Sequence, residues 1–135
     1  MSNIKIKKLT LGISSIIINE PKTYNSLSFK NLNHLIKAFD KLNSDNITKV
    51  IIIEGSGPGF SAGHNLKEVR GLKSKSKYQK LFNLCSKLMI KIVEGRKPVI
   101  AKVHGAAFAA GCQLVASCDL AYSTNDAKFA TPGVN

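Results

Sequence analysis

The stretch Pro98–Asp119, PVIAKVHGAAFAAGCQLVASCD, decides the fold of this chain. It begins with a short apolar run, Val99–Val103, which predicts a buried strand. Six of the seven residues in Gly105–Gly111 are glycine or alanine, and an apolar helical pattern then includes Leu114. The stretch therefore predicts a strand, a small-residue turn and the start of a helix, which is typical of an α/β protein.

The small-residue turn also has a chemical interpretation. The first backbone N–H groups of a helix have no partner inside the helix, and the helix dipole favours negative charge there. Small side chains would let a ligand carbonyl approach these donors and develop negative charge on its oxygen. On spacing alone, the simpler interpretation is a tightly packed corner of an α/β core.

The preceding part of the chain predicts a strand pair followed by a crossover. Alternation over Ile4–Thr10 and a second run over Ile13–Asn19 predict two antiparallel strands. Ser28 is a candidate N-cap for a helix that ends near Asn43, and Val50–Ile53 predicts a buried parallel strand. We also expect a mobile loop over Gly71–Lys77, a helix over Tyr78–Glu94, and short strands over Leu120–Ser123 and Lys128–Ala130.

Two segments carry a family resemblance. GAAFAAGCQLVASCDLAYS (residues 105–123) and FSAGHNLKEV (residues 60–69) resemble the two oxyanion segments of the crotonase (enoyl-CoA hydratase/isomerase) superfamily. The resemblance extends from Ile13 to Asn135, and CSKLMIKI, AAGCQLVASCD and FATPGVN are most similar to its enoyl-CoA hydratase domain-containing protein 3 group. It implies an α/β spiral fold with a ββα repeat core. Residues 1–135 would be its N-terminal part, truncated before a C-terminal helical region.

The resemblance assigns the binding site to specific positions. The backbone N–H groups of His64 and Ala110 would be the two oxyanion-hole donors for an acyl-CoA thioester. Lys22 matches a basic residue near the nucleotide part of coenzyme A, although an exposed turn lysine explains it equally well. The substrate-binding positions that the resemblance implies are Lys22, Ala62, His64, Asn65, Leu66, Ala106 and Gly111.

Both acid/base positions of the family's hydratases differ here. The two glutamate positions correspond to Gln113 and Gly133, and neither side chain exchanges a proton at neutral pH. Gln113 would still be able to orient a water molecule. The side chain of His64 is an alternative acid or base, as in decarboxylating members of the superfamily, unless only its backbone matters. Glu68 and Asp119 lie at positions that we interpret as structural.

These observations support three hypotheses about function. The first is an acyl-CoA-processing protein of fatty-acid metabolism, in which the missing glutamates argue against classical hydration. The second is a non-catalytic acyl-CoA-binding or interaction protein. The third is nucleic-acid binding, because 20 basic and 8 acidic residues leave a net charge of +12. The lysines are dispersed and no nucleic-acid-binding signature is present, so we expect no nucleic acid as partner.

The remaining features concern metal binding, cofactors, cellular location and oligomeric state. Three cysteines without CxxC or Cys/His ligand spacing predict reduced thiols, buried at Cys112 and Cys118, and no metal. No cofactor is expected besides the coenzyme A thioester as substrate or ligand. No signal peptide, transit pattern or membrane-spanning run is evident, so we expect a cytoplasmic protein, with a mitochondrial location as the alternative that the resemblance implies. The resemblance also implies a homo-trimer or hexamer when full length.

Overall fold

Seven strands and four α-helices are present in the computed structural model, which describes residues 2–132. The strands are β1 (Ile4–Lys8), β2 (Ile13–Ile18), β3 (Val50–Gly55), β4 (Val99–Val103), β5 (Ala106–Phe108), β6 (Leu120–Ser123) and β7 (Lys128–Ala130). The helices are α1 (Phe29–Ser44), α2 (Leu66–Gly71), α3 (Lys75–Glu94) and α4 (Ala110–Ser117), and a single 3₁₀ turn covers Pro21–Thr23.

The main sheet has five strands in the order β1-β2-β3-β4-β6. Strands β1 and β2 pair antiparallel, as predicted, and all other neighbours in this sheet are parallel. Helix α1 therefore forms the crossover from β2 to β3, which confirms the predicted strand–helix–strand unit. A second sheet pairs β5 with β7 in parallel, and an isolated bridge joins Ser61 to Ala107 beside it.

The core lies between the main sheet and helices α1 and α3. Helix α1 begins where Ser28 Oγ accepts a hydrogen bond from Asn31 N, and its apolar stripe includes the fully buried Phe39. On the sheet, Ile16 and Ile53 are register partners on neighbouring strands and are both 0% exposed. Burying each such side chain contributes about 1.5–3 kcal/mol, so packing rather than helix propensity holds this layer together.

The predicted mobile loop over Gly71–Lys77 is wrong. Only residues 72–74 separate α2 from α3, and α3 begins at Lys75 rather than Tyr78. The reason is local capping: Ser74 Oγ accepts a hydrogen bond from Lys77 N and starts the helix within a polar, basic segment.

The small-residue turn also contains a strand that the sequence pattern does not predict. Ala106–Phe108 forms β5 by hydrogen bonding to Lys128–Ala130. This partner lies far along the chain, so no local pattern predicts the strand. The burial of the cysteines also differs from the prediction. Cys85 is buried, whereas Cys112 and Cys118 are only partly buried, and all three thiols are free.

Candidate functional site

The two segments that resemble oxyanion loops contact each other directly. Gly63 has φ +94°, and a Cβ atom built there would lie 3.2 Å from the backbone nitrogen of Ala110 and 3.0 Å from the oxygen of Phe108. A Cβ atom on Gly111 would lie 2.2 Å from the oxygen of Ser61. Glycine at both positions therefore permits this close approach. The contact places the peptide that leads into His64 beside the first residue of α4.

Two backbone N–H groups, those of His64 and Ala110, lie at or next to this contact. Ala110 is the first residue of α4, where an N–H has no partner inside the helix. Among residues 2–132, neither the N–H of Ala110 nor that of His64 donates a hydrogen bond to the protein. The preceding residue, Ala109, has φ 52° and ψ −121°, a conformation that non-glycine residues seldom adopt. The backbone is thus strained at the residue that directly precedes the N–H of Ala110.

A buried asparagine anchors the first segment. Asn25 Nδ2 donates to the oxygens of Ser56 (2.8 Å) and Gly59 (3.0 Å). In the reverse direction, Ser61 Oγ donates to the oxygen of Asn25 at 2.8 Å. The oxygen of Gly63 accepts from the nitrogen of Leu27 at 2.7 Å. Residues 59–63 are therefore tied to the chain before α1.

Sequence reasoning did not identify Asn25 or Ser61 as site residues. Asn25 has φ 54° and is fully buried, and Ser61 is 1% exposed. The available signal was the type of residue at position 25, since asparagine tolerates the left-handed backbone region better than most residues. Both side chains act on the site through its backbone.

The imidazole of His64 has a defined orientation. Its Nδ1 lies 3.2 Å from the carbonyl oxygen of Leu27, and its ring meets Phe82 edge-on with centroids 5.5 Å apart. Because a carbonyl oxygen only accepts, Nδ1 carries the proton of this hydrogen bond. In the neutral ring Nε2 is then an acceptor, and within the described residues it has no hydrogen-bond partner.

Several other predicted positions serve capping roles or face solvent. Asn65 Oδ1 accepts from the backbone of Lys67 and Glu68 and so caps α2. Glu68 Oε1 accepts from the nitrogen of Phe29 at 3.0 Å, at the start of α1. Asp119 Oδ2 accepts from the nitrogen of Val99 at 2.8 Å, so Glu68 and Asp119 both bind backbone. The exposed positions are Lys22, Ala62 and Leu66, whereas Ala106 is partly buried and Gly111 is buried.

The structure describes only one of the two glutamate positions. Gln113 lies on α4, one turn after Ala110, with its side chain exposed. Gly133 lies outside the described residues. The amide of Gln113 is exposed and supplies no proton-transfer group.

Two further properties concern the described part of the chain, residues 2–132. No group of three or more His, Cys, Asp or Glu side chains there is arranged to hold a metal ion. None of its helices is both long enough and apolar enough to cross a membrane.

The chain matches known proteins over nearly its whole length. The family model described as enoyl-CoA hydratase/isomerase matches residues 8–135. The human mitochondrial enoyl-CoA hydratase domain-containing protein 3 is 46% identical over 124 residues, which are 92% of this chain and 41% of that protein. The chain thus spans less than half the length of this curated relative.

Solved structures agree with the sequence comparison. An enoyl-CoA hydratase from Mycobacterium smegmatis superposes with a TM-score of 0.94 and 42% identity, covering 98% of this chain and 52% of that one. The human enoyl-CoA hydratase domain-containing protein 3 gives a TM-score of 0.92 and 44% identity, with the same coverage. These matches confirm the crotonase-like α/β fold. The chain belongs to the enoyl-CoA hydratase/isomerase family.

Proposed function

We propose that this chain binds acyl-CoA thioesters, with the N–H groups of His64 and Ala110 as paired donors to the thioester carbonyl. The observation that carries the proposal is the contact between Gly63 and Ala110, at 3.2 Å from the built Cβ atom to the nitrogen. This contact supports the proposal because the N–H of His64 follows Gly63 directly, and neither it nor the N–H of Ala110 donates within residues 2–132. Such a pair suits an oxygen that gains negative charge during reaction.

The donor pair would act on the carbonyl electrostatically. Two N–H groups that point at a thioester oxygen polarise the carbonyl and stabilise the enolate that forms next to it. Removal of one donor from an oxyanion hole typically lowers the rate by about 10²–10³-fold. By resemblance, the small residues Ala106 and Gly111 would line the approach to the carbonyl. Lys22, exposed in its 3₁₀ turn, would by the same resemblance lie near the nucleotide end of the ligand.

The proposal does not include classical hydration by the described residues. Addition of water to an enoyl thioester needs a group that moves a proton, and Gln113 has none. A role in fatty-acid metabolism therefore rests on binding and enolate stabilisation. A non-catalytic acyl-CoA-binding protein is the simplest form of this proposal.

A second candidate, decarboxylation, is favoured by the orientation of His64. In such a reaction the bond to a carboxylate breaks, carbon dioxide leaves, and the electron pair passes to the thioester as an enolate. The enolate would be held by the two N–H groups, and a protonated His64 would return a proton to carbon. With Nδ1 bound to the Leu27 oxygen at 3.2 Å, Nε2 is the ring atom left to carry that proton.

We further propose that the chain needs no cofactor besides the coenzyme A thioester itself. Assembly as a homo-trimer or hexamer when full length follows from the resemblance and is proposed on that basis. A cytoplasmic location also stays a prediction. The human relative carries the word mitochondrial in its name, so the two locations are alternatives.

Calorimetric titration with acetyl-CoA and crotonyl-CoA tests the donor pair. The variant Gly63→Ala places a methyl group against Ala110 and forces alanine into φ +94°, so we expect at least tenfold weaker binding. Gly71→Ala is the matched control, because a Cβ atom there meets nothing within 4 Å. Equal affinity of both variants, or no binding by the unaltered chain, would overturn the proposal. A melting curve for each variant separates lost binding from lost folding.

Turnover assays distinguish the candidate reactions. We expect no hydration of crotonyl-CoA by the unaltered chain, measured by absorbance, and a gain only when Gln113→Glu and Gly133→Glu are combined. Malonyl-CoA decarboxylation that disappears in His64→Gln would establish the second candidate. Binding without either turnover would leave the non-catalytic form.

A further inference from the structure

The segment from Arg70 to Lys80, here named the basic segment, has an unusual charge. Its eleven residues contain five basic and no acidic side chains, and no acidic residue occurs between Glu68 and Glu94. The segment spans the end of α2, residues 72–74 and the first turns of α3. All five basic residues of the segment are exposed.

Nothing in the described chain neutralises the basic segment. The ion pairs found within residues 2–132 use Lys8, Lys91 and Lys102, all outside it. The nearest acidic side chain in sequence, Glu68, is engaged by the backbone of Phe29 at 3.0 Å. The positive charge is therefore presented to solvent rather than compensated internally.

Exposed apolar side chains flank the basic segment on both sides. Leu66, at the start of α2, is 67% exposed, and Phe82, in the second turn of α3, is 49% exposed. Lysines next to exposed apolar side chains are typical of surfaces that contact anionic lipid, where cations meet head groups and apolar groups enter the interface. Single-stranded nucleic acid would instead favour several exposed aromatic rings for base stacking. Here Phe82 is one exposed ring beside the segment, and Tyr78 within it is partly buried.

We propose that the basic segment is a docking surface for membranes that contain anionic phospholipids. The long side chains of Lys73, Lys75 and Lys77 would reach the head groups, and Leu66 and Phe82 would border the contact. Each basic residue near such a surface adds to the attraction independently of sequence, and salt screens it. The proposal uses none of the backbone donors of the acyl-CoA site, although it shares Leu66 with the implied substrate-binding positions and Phe82 contacts the His64 ring.

Vesicle co-sedimentation tests this docking surface. The full chain is mixed with vesicles of phosphatidylcholine alone or of phosphatidylcholine with phosphatidylserine. We expect binding only to the anionic vesicles and release by high salt. The triple variant Lys73→Glu, Lys75→Glu and Lys77→Glu should lower the partition coefficient by about a hundredfold or more. Folding should persist, because two of the new acidic residues lie in the first turn of α3, where negative charge is favourable.

A matched variant separates the effect of the basic segment on vesicle binding from the effect of overall net charge. Lys30→Glu, Lys37→Glu and Lys41→Glu change the net charge by the same amount on exposed positions of α1. Retained binding by this variant, with circular dichroism unchanged in both, would support the proposal. Equal loss in both variants, equal binding to neutral vesicles, or displacement by coenzyme A at constant ionic strength would overturn it. Binding to single-stranded RNA but not to anionic vesicles would also overturn it, in favour of nucleic acid.

Discussion

Asn25 Nδ2 lies 3.0 Å from the carbonyl oxygen of Gly59 and donates a hydrogen bond to it. The same amide group donates to the oxygen of Ser56, and its Oδ1 accepts from the nitrogen of Glu20 at 2.9 Å. One fully buried side chain thus satisfies backbone groups from two loops. The position of the candidate oxyanion segment depends on this side chain, although it touches neither proposed donor.

We expect Asn25→Ala to lower the free energy of unfolding by about 2–4 kcal/mol, because several buried backbone groups lose their partner. The loss of asparagine at φ 54° adds to the effect. Urea denaturation measures the change. Asn33→Ala is the control, since that amide is exposed and bonds only within its own helix. A change below about 0.5 kcal/mol for Asn25→Ala would contradict the anchoring role.

Ala109→Gly should stabilise the chain by about 1 kcal/mol. Alanine at φ 52° and ψ −121° is strained by about 1–3 kcal/mol, and glycine removes that strain at an entropic cost of about 0.5–1 kcal/mol. Thermal melting provides the measurement. Ala116→Gly, at an exposed position within α4, should instead destabilise the chain by up to about 1 kcal/mol. Destabilisation by both variants would show that the backbone at Ala109 is not strained.

Lowering the pH should reveal the contribution of Asp45 to the stability of the fold. The hydroxyl of Thr48, the backbone of Ile47 and the ammonium group of Lys8 hold the pKa of this carboxyl well below its ordinary value of 3.8. A folded-state pKa that lies below the unfolded-state pKa stabilises the fold at pH values above the unfolded-state pKa. This contribution is lost as the pH falls below the unfolded-state pKa.

We therefore expect Asp45→Asn to be less stable than the unaltered chain near neutral pH, with a difference that shrinks below about pH 4. Denaturant titrations at several pH values measure the difference. Thr48→Val removes the largest cause of the shift and should show the same trend in weaker form. A difference that stays constant from about pH 7 to about pH 3 would exclude this contribution.

Thiol labelling should show one fast cysteine and two slow ones. Burial raises the pKa of Cys85, and burial together with the charge of Asp119 raises the pKa of Cys118 to about 12. Only a fraction on the order of 10⁻⁴ of the Cys118 thiol is then thiolate at about pH 8. Cys112→Ser should remove the fast phase of reaction with a thiol reagent, whereas Cys85→Ser should retain it. A fast phase that survives in Cys112→Ser would refute this assignment.

Local patterns predicted most elements because their signals lie in neighbouring residues. The N-cap Ser28 and the apolar spacing after it predicted α1 to within a residue, and the β-branched run at Val50–Ile53 predicted most of β3. The alternation over Ile4–Thr10 and the apolar run over Ile13–Asn19 predicted an antiparallel strand pair, which the structure confirms. These features follow from the periods of 3.6 and 2 residues that a helix and a strand impose on side chains.

The sequence by itself thus determined the α/β class, the crossover and, through resemblance, the two segments of the candidate site. Tertiary structure alone decided how these segments meet. The strand Ala106–Phe108 exists because Lys128–Ala130 pairs with it, and Gly63 faces Ala110 because Asn25 holds the loop in place. The physical reason is that such contacts join residues far apart in the chain. Their energy comes from backbone groups and close packing, which leave no periodic mark on the residues between them.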